Sequence, residues 1–180
     1  MKHYKGMTIE HEFNPEASHQ PALIYAVEHS TGDILELGCG RSSTNFLHHI
    51  VANTNRKIVS VEDNYQWMQN FLHLTDTNHS FQHTDASKWN ETTDFYCKKE
   101  WGVVLVDQGS TKEIGDPART YSAQKLVNCS EYVIVHDGDC LPQIQSNEYN
   151  WKMFVPKYGG PHTYILSKKH DLTDIEIIED

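Results

Sequence analysis

Residues 34–44 read ILELGCGRSST, a short apolar run followed by a Gly-x-Gly turn and three hydroxyl side chains. The run is typical of a buried strand, and Gly38 and Gly40 permit a tight turn in which a ligand approaches the backbone closely. The hydroxyls at 42–44 can cap a following helix, whose free N–H groups then face an anion or carboxylate. A strand, a glycine turn and a helix in this order predict a ligand-binding site.

Outward from this stretch, short apolar runs alternate with amphipathic segments, which is the pattern of repeated βαβ units. Strands are predicted at 33–37, 57–61, 80–83, 102–106 and 132–136, and helices at 21–29, from 42, from 64, at 118–127 and, in a short form, at 147–151. Runs at 152–157 and 162–167 flank a Gly159-Gly160 turn, which indicates a hairpin. The expected fold is α/β: a Rossmann-like, mostly parallel sheet with helices on both faces and a C-terminal antiparallel hairpin. Ligands bind such sheets beyond the carboxyl ends of the strands.

A chain of 180 residues predicts one domain over 1–180, with an N-terminal arm at 1–20 and an acidic C-terminal tail or edge strand at 168–180. The N-terminus lacks the apolar core of a signal peptide, and no apolar run approaches the ~20 residues of a membrane span. We therefore expect a cytoplasmic protein whose four cysteines are reduced. The net charge of −10 argues against a nucleic-acid backbone or an anionic membrane as the main partner.

Acidic residues follow the second and third predicted strands. Glu62 lies 22 residues after Gly40, where a carboxylate can accept hydrogen bonds from both ribose hydroxyls of an adenine nucleoside. Its neighbours Asp63 and Asn64 can cap the next helix, and the two roles are compatible. Asp85, after the third strand, can accept a hydrogen bond from an adenine amino group.

A second cluster follows the fourth and fifth strands. Asp107 closes one apolar run, and His136, Asp137 and Asp139 follow the other, so a parallel sheet brings all four to one edge. Three interpretations stay open: a proton-transfer site, an oxygen-rich site for a divalent ion, or a turn in which Asp137 and Asp139 cap loops.

Four stretches resemble the motifs of the class I S-adenosylmethionine-dependent methyltransferases: ELGCGRSST from Glu36, VSVEDN from Val59, TDAS from Thr84 and LVDQGS from Leu105. The resemblance covers residues 21–167. It implies S-adenosylmethionine as the cofactor, with its methionine and sugar portion beside the glycine turn, its ribose at the second strand and its adenine after the third. The residues assigned in this way to the cofactor are Glu36, Gly38, Gly40, Ser43, Glu62, Asp63, Asp85, Ala86 and Asp107.

The later half is most similar to small-molecule and sugar O-methyltransferases. In the catechol-type enzymes, an acid after the fourth strand and an Asp-Asn pair after the fifth hold a divalent metal such as Mg²⁺. Asp107 and Asp137 fall on the two acid positions, whereas Gly138 replaces the asparagine, so a metal site here needs Asp139 as a ligand. The asparagine-proline-proline-aromatic loop of amino-directed methyltransferases is missing, because Gln108 and a glycine follow Asp107.

We therefore expect methyl transfer to an oxygen of a small molecule or sugar, with Asp107, His136 and Asp137 as catalytic residues. One alternative is an NAD-type oxidoreductase, which is disfavoured because Ser43 replaces the third glycine of the dinucleotide fingerprint. Another is a non-catalytic S-adenosylmethionine- or nucleoside-binding domain, which has no need of the acids at the rim. Because little chain remains to shape an acceptor pocket, the cleft is either open or completed by a second copy of the chain in a homo-oligomer.

Overall fold

The computed structural model describes residues 15–52, 54–109, 112–138, 141–156 and 160–175. Within them, one sheet contains the strands β1 (Ile34–Leu37), β2 (Ile58–Glu62), β3 (His79–His83), β4 (Trp101–Val106), β5 (Ser130–Val135), β6 (Asn150–Phe154) and β7 (Thr163–Ser167). Their order is β3-β2-β1-β4-β5-β7-β6. Strands β1 to β5 are parallel, while β7 runs antiparallel to both β5 and β6. The predicted fold class, including the C-terminal hairpin, is confirmed.

The helices are α1 (Gln20–Glu28), α2 (Thr44–Val51), α3 (Tyr65–Met68), α4 (Trp89–Tyr96) and α5 (Lys112–Leu126). Strand β4 is buried at every residue, which explains its continuous apolar sequence. Successive side chains of a strand point to opposite faces of the sheet. Val103 and Leu105 accordingly join the core that contains side chains of α1 and α2, while Val104 and Val106 join the core that contains side chains of α4 and α5. The sheet therefore carries helices on both faces.

Two predicted elements differ from the structure. The helix predicted at 147–151 is wrong, because Asn150 already begins the antiparallel strand β6 and pairs with Ser167 of β7. Helix α5 begins at Lys112, six residues before its predicted start, and contains Pro117. A proline removes one helical hydrogen bond but does not have to end the helix.

Helix α4 was not predicted, since its sequence WNETTDFY is mostly polar. It forms because Trp89, Thr93 and Tyr96 follow one another at helical spacing and are all buried. The Trp89 indole N–H also donates to Asp63 Oδ2 at 3.2 Å, which ties the start of the helix to the end of β2.

The ends of the chain are described in part. The predicted N-terminal arm is described from 15 onwards and contains a short 3-10 helix at Pro15–Ala17. Residues 168–175 contain no strand, and Leu172 and Ile175 are buried in the core beside α1. The last five residues of the acidic segment lie outside the described ranges. In the part of the chain that the structure describes, no helix is both long and apolar enough to cross a bilayer.

Candidate functional site

Two adjoining cavities lie beyond the carboxyl ends of the parallel strands, and Trp67 and Asp107 line both. The β2 cavity, of about 250 Å³, is also lined by Gly38, Cys39, Glu62, Asp63, Asn64 and Gly109. The β5 cavity, of about 430 Å³, is also lined by Glu16, His19, Gly40, Arg41, Ser42, Ser43, His136 and Asp137. The chain leaves β1 towards β2 on one side and returns to β4 on the other. This is the switch point at which open α/β sheets bind ligands.

Gly38 shapes the turn between β1 and α2. Its φ of +90° lies in the left-handed region, and a Cβ there would lie 2.4 Å from the backbone oxygen of Asp107. The turn is therefore built against the end of β4, and a glycine is required. At Gly40, a Cβ would lie 3.0 Å from Ser43 Oγ, a tight contact with a side chain that can move.

Glu36 is fully buried beneath this turn and lines neither cavity. Its carboxylate accepts hydrogen bonds from Thr44 Oγ1 at 3.0 Å and from Ser60 Oγ at 2.5 Å. Burial raises the pKa of Glu36 to about 7, although these hydroxyl donors oppose the shift. Thr44 Oγ1 in turn accepts from the Gly40 N–H at 3.0 Å, while the helix-capping residue Ser43 makes no side-chain capping bond. The predicted hydroxyl cap is therefore wrong at Ser43, and Glu36 instead holds the turn to α2.

Glu62, at the end of β2, reaches the β2 cavity. Its Oε2 accepts a hydrogen bond from the Cys39 backbone N–H at 2.7 Å, and its Oε1 accepts one from the Asn64 backbone N–H at 2.8 Å. Burial raises the pKa of Glu62 to about 7 against the lowering effect of these two bonds. A carboxylate oxygen can accept more than one hydrogen bond. The β2 cavity therefore presents an oriented acceptor for the hydroxyl groups of a ligand.

Trp67, in the helix predicted from 64, was not among the predicted site residues, yet it lines both cavities. Asn64 caps α3 by accepting from the Trp67 backbone N–H at 3.1 Å, which confirms its predicted capping role. The Trp67 indole N–H donates to the Cys39 carbonyl oxygen at 2.7 Å and so fixes the glycine turn. The position of Trp67 in the chain could have indicated its place at the site, because the first turn of a helix that follows β2 faces the switch point.

The residues predicted at the adenine lie apart from this site. The Asp85 side chain is 68% exposed, with its carboxylate 3.8 Å from Lys88 Nζ. Neither Asp85 nor Ala86 lines either cavity, whereas Asp63 lines the β2 cavity. The assignment of Asp85 and Ala86 to the adenine stays a prediction.

A charged cluster adjoins the β5 cavity. His136 Nδ1 lies 3.2 Å from Asp107 Oδ1, and its Nε2 lies 3.1 Å from Ser18 Oγ. Ser18 donates its single proton to the Pro161 carbonyl at 2.9 Å, so Nε2 must donate to Ser18. Both ring nitrogens therefore carry protons. Burial lowers the pKa of His136, but the hydrogen bond and negative charge of Asp107 outweigh it and raise this pKa overall.

Arg119 reaches the same cluster from α5 and is only 7% exposed. Its Nη2 donates to Asp107 Oδ1 at 3.1 Å, and its Nη1 donates to Asp137 Oδ2 at 2.9 Å. One guanidinium thus bridges both rim carboxylates. Burial raises the pKa of Asp107, but the hydrogen bond from His136 and the charges of His136 and Arg119 bring it below its usual value. Arg119 was not among the predicted site residues; the signal that could have indicated it is that a largely buried carboxylate such as Asp107 needs a charged partner.

His19 lies beside His136, with the ring centroids 4.6 Å apart and the rings edge to face. It is 1% exposed, and neither of its ring nitrogens has a hydrogen-bond partner among the described residues. Burial, reinforced by the charge of His136, lowers the pKa of His19 to about 4. The β5 cavity is therefore lined by two imidazoles whose pKa values are shifted in opposite directions.

The predicted metal ligands were tested against this geometry. Ligand atoms of Asp107, His136 and Asp137 lie within 4.8 Å of one another. However, both ring nitrogens of His136 already have hydrogen-bond partners in Asp107 and Ser18, and the Arg119 guanidinium bonds to one oxygen of each carboxylate, so its positive charge lies beside any ion held there. Asp139 lies outside the described residues. The described side chains therefore do not fit a divalent cation.

No protein-family model and no curated protein matches the chain. Solved structures do match. An O-methyltransferase of Bacillus cereus in complex with SAH has a TM-score of 0.59 and 12% identity over 88% of this chain and 83% of its own. TomG, an O-methyltransferase of Streptomyces achromogenes involved in tomaymycin synthesis and solved with SAM, has a TM-score of 0.57 and 12% identity over 85% and 79%. An rRNA methylase of Streptococcus thermophilus has a TM-score of 0.56 and 14% identity over 89% and 99%. At these identities the likeness establishes the fold.

Proposed function

We propose that this chain, which has the Rossmann-like fold of the class I methyltransferases, transfers a methyl group from S-adenosylmethionine to an oxygen of a small molecule or sugar. One observation carries the proposal: two cavities meet at a single switch point. The β2 cavity presents Glu62 to a nucleoside, and the β5 cavity presents the pair Asp107 and His136. A binding domain needs only the first cavity, whereas methyl transfer to a hydroxyl needs a proton acceptor in the second.

The residues of the two cavities fit S-adenosylmethionine. Glu62 is suited to accept from the ribose hydroxyls, and Trp67 forms an adjoining apolar wall. Asp107 lines both cavities and so lies where the two parts of a bound cofactor would meet. When bound, the cofactor supplies an electrophilic methyl group on its sulfonium sulfur. The SAM and SAH in two of the structural neighbours agree with this choice.

His136 is suited to accept the proton of the acceptor hydroxyl. Asp107 keeps the Nδ1 proton in place and fixes the ring orientation, as a carboxylate does for a catalytic imidazole. His136 acts as the base in its neutral form, in which Nε2 has released its resting proton to solvent and no longer donates to Ser18. Nε2 can then take the hydroxyl proton, and Asp107 stabilises the imidazolium that forms. Base catalysis of this kind contributes about 10²–10⁴-fold to the rate.

The alternatives have weaker support. For an NAD-type oxidoreductase, the third fingerprint glycine is replaced by the buried Ser43. A nucleic-acid acceptor, as in the rRNA methylase among the neighbours, conflicts with a net charge of −10. A pure binding domain leaves the paired Asp107 and His136 without a purpose.

Calorimetric titration tests the cofactor. S-Adenosylmethionine and S-adenosylhomocysteine are expected to bind with micromolar dissociation constants, and NADH is expected not to bind. Absence of binding by both sulfur ligands contradicts the proposal. Release of S-adenosylhomocysteine in the presence of sugar hydroxyls, phenols and amines then tests the acceptor class, and turnover with amines alone contradicts oxygen transfer.

The His136→Gln variant separates catalysis from binding. Its turnover is expected to fall about 10²–10⁴-fold while its affinity for S-adenosylhomocysteine stays within roughly threefold. The matched control is His73→Gln, an exposed histidine that lines neither cavity. Equal losses of turnover and affinity at His136 would show that this residue is not the base.

A further inference from the structure

We propose that Arg119 takes the place of a divalent metal ion, so that its guanidinium is the permanent cation that neutralises and positions Asp107 and Asp137. This deepens the proposed function, and its meaning for catalysis rests on that function. Whether the site binds a metal is nevertheless measurable with no cofactor or acceptor present.

Arg119 is a fixed part of the structure and not a mobile surface side chain. Its Nε donates to the Gln108 carbonyl at 3.0 Å, and its Nη2 also lies 3.4 Å from the Asp107 carbonyl oxygen. The Gln108 side chain is in turn held by a 2.6 Å hydrogen bond to Ser122 Oγ on the same helix, α5. Displacing the guanidinium would break these bonds and leave His136 as the remaining charged partner of Asp107, which is costly.

The hydrogen-bond partners of His136 also disfavour a metal. A ligating histidine must offer a free ring nitrogen, but Nδ1 of His136 lies 3.2 Å from Asp107 Oδ1 and Nε2 lies 3.1 Å from Ser18 Oγ. A divalent ion between the carboxylates would also lie next to the guanidinium and be repelled by it. Asp107 and Asp137 therefore belong to an ion-pair network and not to an open coordination shell.

The exchange of a metal for Arg119 has a consequence for the acceptor. An open metal site can bind two neighbouring oxygens of one molecule. The guanidinium already makes four hydrogen bonds to the protein, so it has little capacity to bind such a pair. The site therefore requires a single acceptor hydroxyl beside His136 and no chelating diol.

The test is a titration with Mn²⁺ alone, with no cofactor or acceptor present. Binding is measured as the loss of the six-line electron paramagnetic resonance signal of the free ion. The wild-type protein and its Asp137→Asn variant are expected to bind Mn²⁺ equally weakly. The Arg119→Met variant removes the cation and is expected to gain one Mn²⁺ site with an affinity about tenfold higher or more. The double variant Arg119→Met with Asp137→Asn is expected to lose that site.

Arg119→Lys is the matched control, because it keeps the positive charge and is expected not to gain the site. Circular dichroism verifies that each variant is folded. One equivalent of Mn²⁺ bound by the wild type and lost in Asp137→Asn would overturn the proposal, and so would a folded Arg119→Met variant with no gain. If Arg119→Met does not fold, the comparison of Mn²⁺ binding by the wild type and by Asp137→Asn still decides the question. Failure of S-adenosylmethionine to bind would count against the proposed function alone.

Discussion

At the scale of single residues, three carboxyl groups near the glycine turn have different charges because they have different neighbours. Glu36 and Glu62 are buried among neutral donors, and burial raises the pKa of each to about 7. Asp107 is paired with Arg119 and His136, which together hold its pKa below the usual value despite burial. Asp107 therefore stays ionised down to a lower pH than Glu36 and Glu62, while the charges of Arg119 and His136 balance its own.

The buried Glu36 makes the stability of the ligand-free protein depend on pH. Its pKa of about 7 in the folded state exceeds the ordinary value of 4.5, so the folded state holds this proton more tightly. The contribution of Glu36 to the free energy of unfolding is therefore fully present below pH 4.5, and it is lost as the pH rises through 7. Replacement by Gln should remove a pH-dependent contribution of about 3 kcal/mol.

Urea unfolding of the wild type and Glu36→Gln at a series of pH values checks this prediction. The difference between their free energies of unfolding, and not either curve alone, isolates Glu36, because His19 and His79 also titrate with lowered pKa values. The variant should gain stability relative to the wild type as the pH rises. Parallel curves across this range would show that Glu36 keeps an ordinary pKa.

At the scale of elements, the strands were predictable where burial on both faces imposes a continuous apolar sequence, as in β4 and β5. The positions of Asp107 and His136 followed from those strand ends. Helix α4 was not predictable from hydrophobic periodicity, because most of its residues are polar and one of its three buried residues is a threonine. The bridge from Arg119 to both carboxylates depends on how α5 is oriented against the sheet, and this orientation is a tertiary property with no local sequence signal.

The turn between β1 and α2 gives a prediction at the same scale. Gly38→Ala would place a Cβ 2.4 Å from a backbone oxygen at a φ of +90°. Backbone at the end of β4 cannot move without disturbing the site, so we expect a loss of about 2–4 kcal/mol in stability and loss of cofactor binding. In the matched variant Gly40→Ala, the new Cβ would lie 3.0 Å from Ser43 Oγ, which can move. This variant should lose about 1 kcal/mol of stability or less.

Thermal unfolding and calorimetric titration with S-adenosylhomocysteine measure both variants. The decisive result is the order of the two losses. If Gly40→Ala is as destabilised as Gly38→Ala, the contact of the turn with β4 is not what requires a glycine.

At the scale of the whole molecule, the cavities join parts of the chain that are distant in sequence. Their lining runs from Glu16, before the first helix, to Asp137, after the fifth strand, and includes the ends of β1, β2 and β4. A ligand that fills both cavities therefore contacts elements from both halves of the sheet. Its binding should stabilise the cooperative unit and not one local segment.

This gives a prediction for the unfolding of the complete chain. S-Adenosylhomocysteine at about a hundred times its dissociation constant should stabilise the protein by about 2.7 kcal/mol. For a chain of this size, that corresponds to a rise of about 5–11 °C in the melting temperature. NADH at the same concentration should produce no rise, because Ser43 replaces the third fingerprint glycine.

The Glu62→Gln variant links this whole-molecule effect to one side chain. Loss of the carboxylate should weaken S-adenosylhomocysteine binding about 10–100-fold, since hydrogen bonds to a charged group contribute about 1.5–3 kcal/mol. The melting rise at the same ligand concentration should therefore shrink to a few degrees, as measured by differential scanning calorimetry. Glu91→Gln, which changes an exposed carboxyl on α4 outside both cavities, should keep the full rise. A full rise in the melting temperature of Glu62→Gln would mean that the nucleoside binds elsewhere. The β2 cavity would then not be the nucleoside site, even if the cofactor itself were correctly identified.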